Sequence, residues 1–202
     1  MHDPLEAPAA LKRYILTGAP GAGKTAIIRQ LEVDGFRVVE EAATDMIALR
    51  QAQGLVEPWT THSFVDDVAE LQRTRLLRSS YGPDEVQFHD RSIFCTAALA
   101  DYLARPRSLV LSQELERAAA QGWFQPAVFF IRSLGFITPT AARRISWEEA
   151  VRFGRVHEEV YRDFGFQTIY VEPASPSDRA DRIKAFLRAK RIAGSACEPY
   201  SP

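Results

Sequence analysis

The sequence predicts an α/β domain on a parallel central sheet. Five short β-prone runs alternate with helical stretches, one of those runs is wholly apolar, and a glycine-rich turn joins the first strand to the first helix. The first strand is 14–17, Tyr-Ile-Leu-Thr, and the helix at 26–32 places Ile27, Ile28 and Leu31 on one side. Gly35 breaks that helix, and 36–40 reads as the second strand. Helices follow at about 42–53 and 62–79, separated by a loop over 54–59. In the second of these, Phe64, Val68, Leu71 and Leu76 recur near helical spacing, and Gly82-Pro83 stops it. The third strand, 85–89, ends at Asp90-Arg91-Ser92, with helices at 93–103 and 111–121 behind it. The fourth strand, 127–131, is Ala-Val-Phe-Phe-Ile, the composition of a strand buried on both faces. An arginine-containing loop over 133–146 leads to a helix at 147–164, a fifth strand at 168–171 and a closing helix at 178–192, with a frayed tail from Gly194.

At 202 residues, 46% hydrophobic and 25% charged, the chain can bury a full core. No repeat or low-complexity linker divides it, so one domain is expected over 1–202, with its core at about 13–192 and flexible termini. A formal net charge of −1 argues against a dedicated nucleic-acid surface, which demands a strong basic excess. No apolar run is long enough to span a membrane, and the acidic segment 1–12 lacks the apolar stretch of a signal peptide. Cys95 and Cys197 read as reduced thiols rather than a disulfide framework. The expected location is the cytoplasm. All but four of the 25 basic residues (Lys12, Lys24, Lys184 and Lys190) are arginines, whose planar fork suits phosphoryl oxygens.

The sharpest signal is Gly18-Ala19-Pro20-Gly21-Ala22-Gly23-Lys24-Thr25, which matches G-x-x-x-x-G-K-[ST] at every fixed position. Gly18, Gly21 and Gly23 allow the backbone to bend with its N–H groups inward, and the following helix adds its positive end. Lys24 is placed to reach β- and γ-phosphates, and the Thr25 hydroxyl to ligate Mg²⁺. The competing reading is a glycine-rich turn with a surface lysine. A strand before and a helix after the motif favour a site for a nucleoside triphosphate.

Asp90, at the end of the third strand, lies at the sheet edge where ligands gather, and is a candidate to hold Mg²⁺ directly or through water. Arg91 beside it is a candidate to address the phosphoryl group or the acceptor. The bland alternative is a capping Asp and a solvated Arg. Glu40-Glu41 ends the second strand at the same edge, and Glu41 is the better candidate to anchor or deprotonate an acceptor hydroxyl. Arg143 and Arg144 in the 133–146 loop suit a lid that neutralises charge on a migrating phosphoryl group. Pro58, Trp59, His62 and Phe64 fall where a second substrate would bind; Phe64 reads as packing and Trp59 as a possible stacking partner. The four histidines, His2, His62, His89 and His157, show no metal spacing.

These pieces together resemble an AAA-type ATPase/kinase family related to the nicotinamide riboside kinase domain and, more distantly, to deoxynucleoside and thymidylate kinases. The resemblance rests on I-L-T-G-A-P-G-A-G-K-T (15–25), V-V-E-E-A-A (38–43), F-H-D-R-S (88–92) and R-I-S-W-E-E-A (144–150). V-H-E-E-V-Y-R-D-F-G-F (156–166) and V-E-P (171–173) extend it, so that it spans about 13–190. It implies a three-layer P-loop NTPase fold of nucleoside-kinase type, a five-stranded parallel sheet in the order 2-3-1-4-5, and a lid at 133–146. The deoxynucleoside kinases carry a Glu-Pro pair after the second strand and Glu-Arg-Ser after the third. Here those positions resemble Glu41-Ala42 and Asp90-Arg91-Ser92, and Glu148 or Glu149 corresponds to a glutamate that follows the lid arginines.

The function expected from the sequence is ATP-dependent transfer of a γ-phosphoryl group, with Mg²⁺, to a hydroxyl of a small, nucleoside-like acceptor. Asp90 is followed by Arg91 and not by a Glu that would activate water, which favours transfer over bare hydrolysis. The alternative is a nucleotide-dependent switch or ATPase that works through a protein partner and has no small-molecule acceptor.

Overall fold

Parallel pairing joins β1 (Lys12–Thr17), β2 (Arg37–Val39), β3 (Val86–Asp90), β4 (Ala127–Ile131) and β5 (Gln167–Val171) into one sheet of order β2-β3-β1-β4-β5. The order is the one the resemblance implies. The structure, a computed structural model, describes residues 11–79, 85–135 and 145–195. Its helices are α1 (Lys24–Val33), α2 (Ala42–Ala52), α3 (Phe64–Arg78), α4 (Ile93–Tyr102), α5 (Leu109–Ala120), α6 (Trp147–Asp163) and α7 (Pro176–Ser195).

Alternation along the strands sorts the core into two layers on either side of the sheet. Tyr14, Leu16, Phe88, Phe129 and Ile131 pack with Ile27, Ile28 and Leu31 of α1 and Ile183 of α7. Ile15 and Val128 face the other way, onto Phe94 of α4, Leu111 and Leu115 of α5, and Val160 and Tyr161 of α6. Every residue of β4 is buried, as its composition predicts, whereas β2 at the sheet edge is mostly half-buried. Leu16 pairs with Asp90, and Thr17 with Phe130. That register brings the C-terminal ends of β1, β3 and β4 level, so everything that follows them meets at one edge.

Element boundaries depart from the sequence reading by a few residues. The stretch 54–59 is not all loop: Pro58–Thr60 forms a 3-10 turn, with the Thr61 hydroxyl donating to the Pro58 carbonyl at 2.7 Å, and α3 begins two residues later than expected. β2 is shorter than expected: the Phe36 N–H closes the end of α1 by donating to the Leu31 carbonyl at 3.0 Å, and Glu40 lies beyond the strand's last residue. Ser108 caps α5 by accepting from the Leu111 N–H at 3.0 Å, and Ser146 with Glu149 forms a capping box on α6. The closing helix starts earlier than expected, at Pro176, since proline is tolerated in a first turn. It also runs on through Gly194, where the sequence predicted fraying. Among the described residues, no helix is long and apolar enough to cross a membrane.

His89 sits buried in β3, its Nε2 2.9 Å from Gln87 Oε1, and burial with the nearby Arg13 charge lowers its pKa to about 3. A histidine neutral when folded binds a proton when unfolded, so its contribution is present above its ordinary pKa of 6.5 and is lost as pH falls toward 3. Urea unfolding between about pH 7 and pH 5 is therefore expected to show stability falling with pH, His89 adding up to about 1.4 kcal/mol per pH unit. His89→Gln removes that part of the slope; an unchanged slope would contradict the assignment.

Candidate active site

The chain leaves β1 at Thr17 and re-enters regular structure at Lys24, and the turn between them is tightly specified. Gly18 has φ +131°, and a Cβ there would stand 2.5 Å from the Ile131 carbonyl oxygen. Gly23, the residue before α1, has φ +85°. Both positions demand glycine. Gly18→Ala is expected to cost about 3 kcal/mol, since both the backbone angle and the backbone contact resist a methyl group. A denaturant melt within about 0.5 kcal/mol of the parent would contradict that geometry.

Lys24 is not a surface lysine. Its side chain is 6% exposed, and its Nζ lies 3.5 Å from the Ala19 carbonyl oxygen. Burial, reinforced by the Arg91 charge, lowers its pKa to about 8 against the opposing pull of Asp90 and Glu41. Thr25 follows on α1 with its hydroxyl 3.5 Å from Asp90 Oδ2. The other oxygen, Asp90 Oδ1, is buried with no hydrogen-bond partner among the described residues, and burial raises the Asp90 pKa. A desolvated carboxylate with a spare oxygen beside a threonine hydroxyl fits a divalent cation.

Arg91 breaks from β3 at φ +71°, its N–H donating to the Leu16 carbonyl at 3.0 Å. Its Nε lies 2.6 Å from Glu41 Oε1, and its Nη1 2.9 Å from His157 Nε2. Glu41 precedes α2 and also accepts from the Thr44 hydroxyl at 2.9 Å. Burial pushes the Glu41 pKa up, but the Arg91 and Lys24 charges outweigh it and hold the carboxyl below its ordinary value. Glu40 turns away to pair with Arg29 in solvent. The structure therefore brings Lys24, Thr25, Glu41, Asp90 and Arg91 together. Arg143 and Arg144, with most of the 133–146 loop, lie outside the described residues.

A cavity of about 420 Å³ opens from Pro20, Gly21, Lys24 and Thr25, passes Glu41 and Arg91, and ends between α2, α3, α4 and α6. Its far wall is apolar: Ile47, Trp59, Phe64, Val68, Leu99 and Phe153 line it. Trp59 thus stands where a stacking partner was expected, and Phe64 both packs and lines the wall. Pro58 and His62 do not reach the cavity, and of the two lid-following glutamates Glu149 does.

Three further residues carry no sequence signal. Gln72, inside α3, accepts the Thr96 hydroxyl at 2.7 Å and lines the cavity. His157 holds Arg91. Arg179, 2% exposed, spans beneath the phosphate loop, donating to the carbonyls of Ala22 at 2.8 Å, Glu172 at 3.0 Å and Arg132. The arginine excess accordingly has a structural use alongside any phosphate role. Arg75 donates to the Glu40 and Glu41 carbonyls, and Arg105 to those of Trp59, Thr60 and Thr61, fixing the loops that flank the cavity.

Comparison with known proteins agrees with this architecture. A family model described as an AAA domain matches residues 13–179. No curated protein shows a significant match to the chain. Among solved structures, deoxyadenosine kinase from M. mycoides with bound dATP superposes with a TM-score of 0.56 at 14% identity, over 87% of this chain and 99% of that one. The same enzyme with bound dCTP gives 0.59 at 14% identity, over 89% of this chain and 100% of that one. NadR protein in complex with NR gives 0.60 at 18% identity, over 80% of this chain and 44% of that longer one. At such identities these likenesses speak for the fold, a P-loop fold of nucleoside-kinase type. With the match covering most of its length, the chain belongs to the AAA-domain family that this model describes.

Proposed function

We propose that the protein is an ATP-dependent small-molecule kinase that moves the γ-phosphoryl group of Mg·ATP to a hydroxyl of a nucleoside-like acceptor. One observation carries the reading: the Glu41–Arg91 pair lines the same cavity as the phosphate-loop lysine, on the way to its largely apolar wall. Bare hydrolysis needs only a water at that place, whereas an apolar wall of this size offers a seat for a flat, weakly polar molecule. A nucleoside presents a base to the apolar end, where Trp59 and Phe64 supply aromatic faces and Gln72 a hydrogen-bonding amide.

The phosphate loop, from Gly18 through Ala19, Pro20, Gly21, Ala22 and Gly23 to Lys24 and Thr25, cradles the donor phosphates with its backbone N–H groups. Thr25 and Asp90 would hold Mg²⁺, which when bound neutralises charge on the β- and γ-phosphates. Lys24 balances charge on the migrating group, and Arg143 with Arg144 is assigned the same part from the lid. A carboxylate held below its ordinary pKa is a weak base, but it stays ionised and so remains a hydrogen-bond acceptor. Glu41 therefore orients the acceptor hydroxyl and takes its proton late, as a loose phosphoryl-transfer transition state permits. Arg91 fixes Glu41 and offers its remaining N–H groups to the acceptor.

Glu41→Gln separates orientation from nucleotide binding. Transfer of label from γ-labelled ATP to a nucleoside is expected to fall about 100-fold in kcat, with nucleotide affinity almost unchanged. Label appearing only as inorganic phosphate, from parent and variant alike, would replace the kinase by a switch ATPase.

A further inference from the structure

α6 touches three parts of the site at once. Phe153 forms part of the cavity wall, and Gly154 lies against the phosphate loop, where a Cβ would stand 3.4 Å from that of Ala19. One turn beyond Phe153, His157 is fully buried against Arg91. Its Nδ1 is 2.9 Å from the Phe153 carbonyl oxygen and its Nε2 2.9 Å from Arg91 Nη1.

A guanidinium can only donate, and so can the N–H that faces a carbonyl. One state of the ring satisfies both neighbours: a neutral imidazole with its proton on Nδ1 and its lone pair on Nε2. A doubly protonated ring would set an N–H against the Arg91 cation, with Lys24 also nearby. Burial and the Arg91 charge accordingly keep the His157 pKa well below its ordinary value. Arg91 needs such support. Its φ of +71° is sparsely populated for any residue but glycine, and such a conformation persists where surrounding contacts over-determine it. Glu41 fixes Nε, the Leu16 carbonyl fixes the backbone, and His157 supplies the third point.

We propose that His157 is a positioning residue: by accepting from Nη1 it sets the plane of the Arg91 guanidinium against Glu41, leaving the Nη2 donors aimed at the acceptor. The catalytic half of this inference rests on the kinase reading; the geometric half does not. Because His157 stands on the helix that follows the 133–146 loop and abuts the phosphate loop, it also ties the acceptor-side arginine to the donor side.

Two variants of similar size isolate the acceptor atom. In His157→Gln the amide oxygen reaches the place of Nε2, whereas His157→Asn reaches only the place of Nδ1. His157→Gln is expected to stay within about 3-fold of the parent, and His157→Asn to lose about 30-fold in kcat with nucleotide affinity and acceptor KM changed far less. The Arg91 Nε–H resonance should be sharp and slow to exchange in the parent and His157→Gln, and broadened in His157→Asn. Equal effects of the two variants, or an Arg91 signal indifferent to both, would overturn the proposal. If no acceptor is turned over by the parent, the kinase reading fails and the Arg91 signal alone decides the positioning role. If His157→Asn does not fold, long-range proton–nitrogen correlations of the parent decide it: Nδ1 protonated and Nε2 an acceptor supports the role, and the opposite tautomer removes it.

Discussion

Lys24→Ala is expected to lower turnover by about 10³-fold, close to complete loss. The ammonium is buried in the cleft, with a single long contact, to the Ala19 carbonyl, among the described residues, and desolvation lowers its pKa to about 8. A nucleotide's phosphates would supply the missing partner, raising that pKa again and exchanging a poorly solvated cation for a paired one. Charge that builds on the migrating phosphoryl group would meet this same ammonium, in a site where water does not screen it. The backbone loop remains in the variant, and alanine is a good helix former at the first position of α1, so the fold should survive. A variant that kept most of its activity would show that phosphate does not bind at this loop.

Asp90→Asn is expected to cost Mg²⁺-dependent turnover about 100-fold while nucleotide affinity measured without the metal changes less than about 3-fold. The substitution preserves size and an acceptor for the Thr25 hydroxyl but removes the charge that a cation would need. Burial raises the pKa of this carboxylate, and its Oδ1 has no hydrogen-bond partner among the described residues. Equal losses in turnover and in metal-free affinity would argue against the metal role.

Much of this site was legible because its parts are local. Gly18 to Thr25 is one uninterrupted run whose spacing is dictated by a backbone turn, and Asp90-Arg91 stands at the end of a strand, where topology alone brings it to the ligand edge. The strand order came from resemblance, since periodicity cannot say which strands pair. The partners of Arg91 were not legible in the same way. Glu41 lies 50 residues away and His157 66, and a lone histidine on an amphipathic helix looks like any core residue until the fold puts an arginine against it. Gln72 and Arg179 were hidden for the same reason: one is a mid-helix glutamine, the other one arginine among many. The 3-10 turn at Pro58–Thr60 escaped because its local hydroxyl-to-carbonyl bonds are common to many loops, and Arg105, which also holds it, comes from a distant part of the chain.

The central question is whether a hydroxyl acceptor, rather than water, receives the phosphoryl group. ADP release from Mg·ATP, measured alone and with a panel of nucleosides that includes nicotinamide riboside, tests this directly. A many-fold stimulation by an acceptor, lost in Asp90→Asn, is the expected result. A slow release that no acceptor changes, and that a protein partner accelerates, would contradict it.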